Sequence, residues 1–165
     1  MANPITLFRG IKNFFFDVDG VFTDGGLISH DDGVLVRVMN AKDGHALKKM
    51  VQNGFHICII TAGDSIGVMK RMEKLGVIHM HSKARKKGEI LKAHCYEHGL
   101  ELSESLFLGD DVSDIPAMEL VKLSCCPKDA TVEVKQMATY VSPYGGGKGC
   151  VRDVAQKVLA LQGKW

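Results

Sequence analysis

Short apolar runs alternate with stretches of helical spacing along most of the chain. Residues 12–17, "KNFFFD", read as a buried strand, as do residues 55–61, "FHICIIT", and 104–109, "ESLFLG". Residues 121–126, "VKLSCC", and 138–142, "ATYVS", are shorter candidates. Between them apolar side chains recur at the three- and four-residue steps of a helix. Ala46, Leu47, Met50 and Val51 share a face within 43–53, and Ile66, Met69, Met72 and Leu75 share one within 64–75. Ile90, Leu91, His94 and Cys95 do so within 87–98, and Val151, Val154, Ala155, Val158 and Leu159 form the cleanest stripe, near the end. Strand–helix alternation predicts βαβ units, hence an α/β fold with a mostly parallel sheet and helices on both faces.

One segment breaks the rhythm. Residues 21–40, "VFTDGGLISHDDGVLVRVMN", predict a β-hairpin in which "GGLIS" pairs with "VLVRV" across "HDDG", because Asp-Gly suits a hairpin turn. No repeat or interdomain linker interrupts the chain, so one domain over residues 1–165 is expected, with the hairpin at about 24–40.

Composition narrows the classes of function. A 165-residue chain that is 45% hydrophobic can bury a sizeable core. Its formal charge of +2 is too mild to argue for a nucleic acid or membrane partner. The run "KARKK" at 83–87 reads mainly as a solvated turn before a helix. No stretch approaches the roughly 18 apolar residues of a membrane span, and "MANPITLFRG" lacks the pattern of a signal peptide. The five cysteines include no CxxC pair, so they are expected to be reduced thiols in a cytoplasmic protein rather than zinc ligands.

Ligands of an open parallel sheet bind at the carboxyl ends of the strands, and here the strand ends carry the chemistry. The first delivers Asp17 and Asp19, the second Thr61, and "GDDVSD" brings Asp110, Asp111 and Asp114, while Lys87 opens a helix between them. Crowded carboxylates repel unless a cation joins them. Magnesium takes hard oxygen ligands, so Asp17, the carbonyl of Asp19 and Asp110 suit a Mg²⁺ site for phosphoryl transfer. Asp17 and Asp19, at i and i+2, are expected to flank one phosphorus atom, one attacking and one handling the proton. Gly20 would let backbone amides approach the phosphate, and Thr61 and Lys87 would stabilise it. Each signal taken singly has a plainer explanation: a DxD turn, a cap for a helix at 112–121 by Asp111 or Ser113, a strand-end hydroxyl, a solvated lysine. Their order, each at an element end, favours chemistry. The glycine-rich "PYGGGKG" at 143–149 lacks the spacing of a phosphate-binding P-loop. His94 and His98 read as an ordinary helix face with no third metal ligand in view, and His79 and His81 add nothing to them.

These motifs resemble the haloacid dehalogenase superfamily. "DVDGVFTD" is similar to its first motif, "IITA" to its second, Lys87 to its third and "GDDVSD" to its fourth. "NAKDGHALKKM", "GDDVSDIPAM" and "GGGKGCVRDV" further resemble the 3-deoxy-D-manno-octulosonate 8-phosphate phosphatase family, which includes phosphatases of nine-carbon keto-sugar acids. The resemblance runs from about residue 11 to 163. It implies a Rossmann-like core without a large cap domain, and hydrolysis of a sugar phosphate through an aspartyl-phosphate. It implies Asp17 as nucleophile, Asp19 as general acid/base, and Thr61 and Lys87 on the phosphoryl group. Mg²⁺ would be held by Asp17, Asp19 and Asp110, with Asp111 and Asp114 behind them. It also implies a homotetramer in which one subunit's hairpin helps close a neighbour's site. Gly20, Lys42, Asp43, Arg71 and Arg152 are the expected substrate-binding residues, with Lys148 a further cation. Ala62 and Gly63 depart from the family's glycine and charged residue after the motif-two threonine, as do Lys42 and His45 from its usual arginine and tyrosine.

Other readings stay open. A receiver-like signalling domain also gathers aspartates, a threonine and a lysine, but in a different order along the chain. A non-catalytic assembly module would be expected to lack Asp17 or Asp19, and both are present. A phosphatase for a nine-carbon keto-sugar acid or another small phosphate ester fits the same residues.

Overall fold

The computed structural model describes residues 4–165; the first residues of the opening segment, read above as no signal peptide, lie outside it. In chain order its elements are α1 (Pro4–Phe8), β1 (Asn13–Phe16), β2 (Ile28–Ser29), β3 (Leu35–Val36), α2 (Ala41–Gln52), β4 (His56–Ile60), α3 (Ile66–Lys74), β5 (His79–His81), α4 (Lys87–His98), β6 (Ser105–Leu108), α5 (Ile115–Met118), β7 (Leu123–Cys126), α6 (Val132–Met137), β8 (Tyr140–Val141) and α7 (Cys150–Leu161). Six strands form one parallel sheet in the order β5-β4-β1-β6-β7-β8. The α/β expectation is met, with helices on both faces.

The phenylalanine run explains the centre of that sheet. Side chains alternate along a strand, so Phe14 and Phe16 enter the core under α2, α3 and α7, while Phe15 enters the opposite one under α4 and α5. A strand covered on both faces reads as a continuous apolar run rather than an alternating one, and all four residues of β1 are buried. Leaving β1, the chain first builds outward to β4 and β5, then returns to lay β6 on the other side. The order therefore reverses between β1 and β6, and the crevice at that switch point is where a ligand is expected.

The hairpin is present but short: Ile28 faces Val36 and Ser29 faces Leu35. His30 and Gly33, with Gly33 at a φ of 84°, close a turn of the type-I-plus-glycine kind around "HDDG".

Several expectations need correction. Ile66 and Met69 lie on the exposed side of α3, and Val68, Met72 and Leu75 form its buried stripe. Ser65 caps the helix at Val68 N–H. The helix expected over 112–121 is a 3₁₀ turn at 112–114 followed by the four residues of α5. Edge strand β5 and the short α1 and α6 were not anticipated. The five cysteines are all buried and free, as expected. Among the described residues no helix is long and apolar enough to cross a membrane.

Candidate active site

Asp17 follows β1 directly, and its amide donates to the Leu108 carbonyl of β6 at 3.1 Å, which ties it to the switch point. Lys87, the first residue of α4, is enclosed at 1% exposure. Its Nζ lies 3.0 Å from Asp17 Oδ1 and 2.6 Å from Asp114 Oδ1. Burial works against the ammonium, but the two carboxylates outweigh it and hold the lysine pKa above its usual value. This lysine is no solvated helix start; it is the counter-ion of the site.

Asp114 is buried, and its Oδ2 accepts the backbone N–H groups of Asp110 and Asp111 at 2.9 and 3.2 Å. Asp111 is exposed and accepts from Val112 N–H, so the two residues form a reciprocal cap on the 3₁₀ turn. Oxygens of Asp17, Asp110 and Asp114 come within 4.8 Å of one another. With Lys87 and two amides already on Asp114, the carboxylates left to meet a cation are those of Asp17 and Asp110.

Asp110 has the features of a group awaiting a ligand. Its Oδ1 is buried with no hydrogen-bond partner among the described residues. Burial, and then the charges of Asp114 and Asp17, push its pKa up to about 7. Burial and the Asp114 charge raise Asp17 to about 6, against the pull of Lys87. An orphaned oxygen beside a second destabilised carboxylate fits a hard divalent cation such as Mg²⁺. Gly20 is needed for this packing: at a φ of 88° a Cβ there would lie 1.9 Å from Asp110 Oδ2. The Asp110 carboxylate thus fills the space on the Cβ side of Gly20.

Both pKa shifts carry a sign for stability. A carboxyl raised on folding favours the folded state below its unfolded value of 3.8 and loses that contribution as pH rises through about 6 for Asp17 and about 7 for Asp110. A cation favours the ionised form and reverses the trend. The rise in Tm on adding Mg²⁺ is therefore expected to grow between about pH 5 and about pH 8. A shift that stays flat over that range would detach Mg²⁺ from these two groups.

Asp19 is held differently from the expectation. β1 ends at Phe16, so strand alternation does not carry through to residue 19. Its carboxylate is half-buried and gripped by Arg37, with Nε to Oδ1 at 2.6 Å and Nη2 to Oδ2 at 3.0 Å. Thr61, buried at the end of β4, accepts from Gly63 N–H at 3.2 Å. Gly63 packs between Asp19, Arg37 and Thr61, with room for no larger neighbour without shifting Arg37. A small opening lined by Asp19, Arg37, Thr61, Gly63 and Ser65 lies at this end of the sheet.

Arg37 was missed in the sequence. The signal was there: it is the one charged residue inside "VLVRV". The two-point arginine–carboxylate pair orients Asp19. Replacing Arg37 by alanine should lower kcat/KM about 10- to 100-fold by releasing Asp19 from its position, with little change in thermal stability. Full activity in R37A would show that Asp19 needs no such hold.

The remaining expected residues divide into three groups. Asp43 is buried, and its carboxylate accepts Arg152 N–H at 2.8 Å and Gly149 N–H at 3.2 Å. It caps the first turn of α7 from α2, a structural duty beside the expected substrate-binding one. Lys42, Lys148 and Arg152 line one surface cleft of about 350 Å³ with Asn40 and Gln156. Arg71 lies elsewhere, in a second cleft between α3 and the hairpin beside Arg37. The glycines of "PYGGGKG" serve close packing: a Cβ on Gly146 would sit 2.0 Å from the Gly20 carbonyl oxygen. That loop presses the segment after Asp19 into place.

The chain is similar to known proteins over nearly its whole length. A sequence profile of the haloacid dehalogenase-like hydrolases matches residues 73–150. The 3-deoxy-D-manno-octulosonate 8-phosphate phosphatase of Escherichia coli strain B is 30% identical over 163 residues, covering 99% of this chain and 87% of that one. The crystal structure of the corresponding phosphatase from Moraxella catarrhalis, in complex with magnesium ion, phosphate ion and KDO, superposes with a TM-score of 0.94 at 28% identity, over 99% of this chain and 94% of that one. A hypothetical protein from Xanthomonas campestris is 35% identical with a TM-score of 0.94, over 99% and 90% of the two chains.

Proposed function

The chain belongs to the 3-deoxy-D-manno-octulosonate 8-phosphate phosphatase family of haloacid dehalogenase-like hydrolases, and from that premise we propose that it is a Mg²⁺-dependent phosphatase of 3-deoxy-D-manno-octulosonate 8-phosphate. The observation that carries this reading is the group of Asp17, Asp110, Asp114 and Lys87 gathered at the β1/β6 switch point. Asp17 attacks phosphorus, and the bond to the sugar oxygen breaks as Asp19 gives that oxygen a proton. Water then attacks the aspartyl-phosphate, and Asp19 takes the proton back, which returns Asp17 and releases inorganic phosphate. Lys87 and Thr61 meet the phosphoryl oxygens. Asp17, the carbonyl of Asp19 and Asp110 would hold Mg²⁺, with Asp114 and Asp111 keeping the loop in shape. When bound, the ion supplies charge neutralisation that lets an anionic phosphate approach an anionic carboxylate.

The sugar acid has its own carboxylate, and the cationic cleft of Lys42, Lys148 and Arg152 and the arginine Arg71 are the positive groups available to meet it. A nine-carbon keto-sugar acid phosphate is the alternative substrate, because Ala62 and Gly63 leave the usual selecting charge out of motif two. Phosphate release should be measured across both sugar acid phosphates and simple phosphate esters, with and without EDTA. Hydrolysis of the eight-carbon substrate at least tenfold above the others supports the reading, and hydrolysis indifferent to chelation would sink it.

The assembly proposed is a cytoplasmic homotetramer of one-domain chains (residues 1–165). The hairpin supports it: Leu27, Ile28, Val34, Leu35, Val36 and Val38 are all exposed. A two-stranded ribbon is marginal alone in water, and an apolar one needs a covering surface. Exposed Ile66 and Met69 lie on the neighbouring helix. The five unpaired thiols fit a reducing compartment. Sedimentation of the enzyme and of a form lacking residues 24–36 checks this; an active monomer would refute it.

A further inference from the structure

Five of the chain's seven histidines meet at one place remote from the carboxylates. His56 opens β4, His79 and His81 bound β5, and His94 and His98 lie one turn apart on α4. The sequence reading saw no third ligand for His94 and His98; sheet pairing supplies it. The ring centroids of His56, His79, His94 and His98 are all within 5.5 Å of one another, the closest pair being His94 and His98 at 4.3 Å. Four imidazoles bound tetrahedrally at 2.0–2.1 Å would put their centroids about 5 Å apart. Ligand nitrogens of His79, His94 and His98 already lie within 4.8 Å of one another.

We propose that His79, His94 and His98, with His56 as the fourth ligand, form a second metal site that takes a Zn²⁺-class transition ion rather than Mg²⁺. Imidazole nitrogen suits zinc, nickel and copper, whereas magnesium prefers oxygen. The surroundings of His94 resemble those of a metal-bound histidine. Its Nδ1 lies 3.0 Å from His81 Nε2. In the tautomer with Nδ1–H toward His81, Nε2 is unprotonated and faces the cluster, where it accepts from His56 Nε2–H at 2.8 Å until an ion takes the place of that proton. An outer partner that fixes the tautomer in this way is a regular companion of histidine ligation. Cys58 forms a separate set with His81 and His94, deeper in the core than the group that includes exposed His98.

Exposed His98 gives an ion access from solvent. The ion would clamp β4 and β5 to the end of α4, about 16 Å along the helix from Lys87.

The test is Zn²⁺ titration of the enzyme held in millimolar Mg²⁺, beside the double variant H79A/H98A, with bound metal counted after dialysis. The wild type should retain one more Zn²⁺ per chain than the variant, whose affinity should fall about 100-fold or more. At a hundredfold excess over Kd the wild-type Tm should rise roughly 5–10 °C. Circular dichroism and Mg²⁺-dependent turnover report whether the variant is folded. Independently of any variant, ¹⁵N signals of the wild-type imidazoles should move for His79, His94 and His98 on adding Zn²⁺. Equal zinc in both proteins, or imidazole signals that do not move, would overturn the proposal.

Discussion

Asn in place of Asp17 is expected to reduce phosphatase turnover by about 10⁴-fold or more, because an amide oxygen cannot open the covalent route. The same substitution should leave the protein well folded. Asp17 is one of three carboxylates crowded around one ammonium, and burial already holds its pKa at about 6. Removing its charge leaves Lys87 paired with Asp114 at 2.6 Å and relieves the repulsion on Asp110. Metal-free D17N should therefore melt no lower than the metal-free wild type at pH 8. Its response to Mg²⁺ should be weak, since one of the two carboxylates expected to meet the ion is gone. Turnover within tenfold of wild type would remove Asp17 as the nucleophile. A folded, inactive variant with an undiminished Mg²⁺ response would leave Asp17 as nucleophile but take it out of the metal site.

Much of this site was legible because its residues sit at the ends of strongly patterned elements. The run Phe14–Phe16 reads as a strand buried on both faces, and that places Asp17 at the carboxyl edge of a sheet. Leu106–Leu108 did the same for Asp110. What could not be read was any relation made across the sheet. Asp43 stands in a motif that resembles the family's, yet its partners are amides 106 and 109 residues away. Arg37 is one charge in the apolar run "VLVRV", and only the fold of the hairpin brings it to Asp19. The histidines are spread over residues 56 to 98, and they form a cluster only because β4 pairs with β5 and α4 packs beside them. β5 itself was missed because its three half-buried residues at the sheet edge include two histidines. The stripe on α3 failed for a related reason. Ile66 and Met69 fit the helix period as well as Val68 and Met72 do, and the capping residue and sheet contact decide between the two faces.

Replacing Lys87 by methionine should be the most damaging change to stability in the site. Methionine keeps much of the stem's volume, so the core under α4 is not emptied and the loss reports the charge. The ammonium meets Asp17 at 3.0 Å and Asp114 at 2.6 Å in a place it shares with no solvent. Removing one partner of a buried ion pair leaves uncompensated charge and costs about 3–5 kcal/mol. That cost has a pH signature. Without Lys87 the aspartate pKa values climb further above 3.8, so the penalty is full at about pH 8 and shrinks toward about pH 5 as Asp17 and Asp110 take up protons. Mg²⁺ should recover part of the loss at pH 8, because it supplies positive charge to the same carboxylates. Turnover should not recover with it: a donor aimed at the phosphoryl group is worth about 10²–10³ in kcat. Urea unfolding at both pH values, with and without Mg²⁺, together with phosphate release, separates these effects. If K87M unfolds at the wild-type urea midpoint at pH 8 without metal, the ammonium is not what holds the three aspartates together.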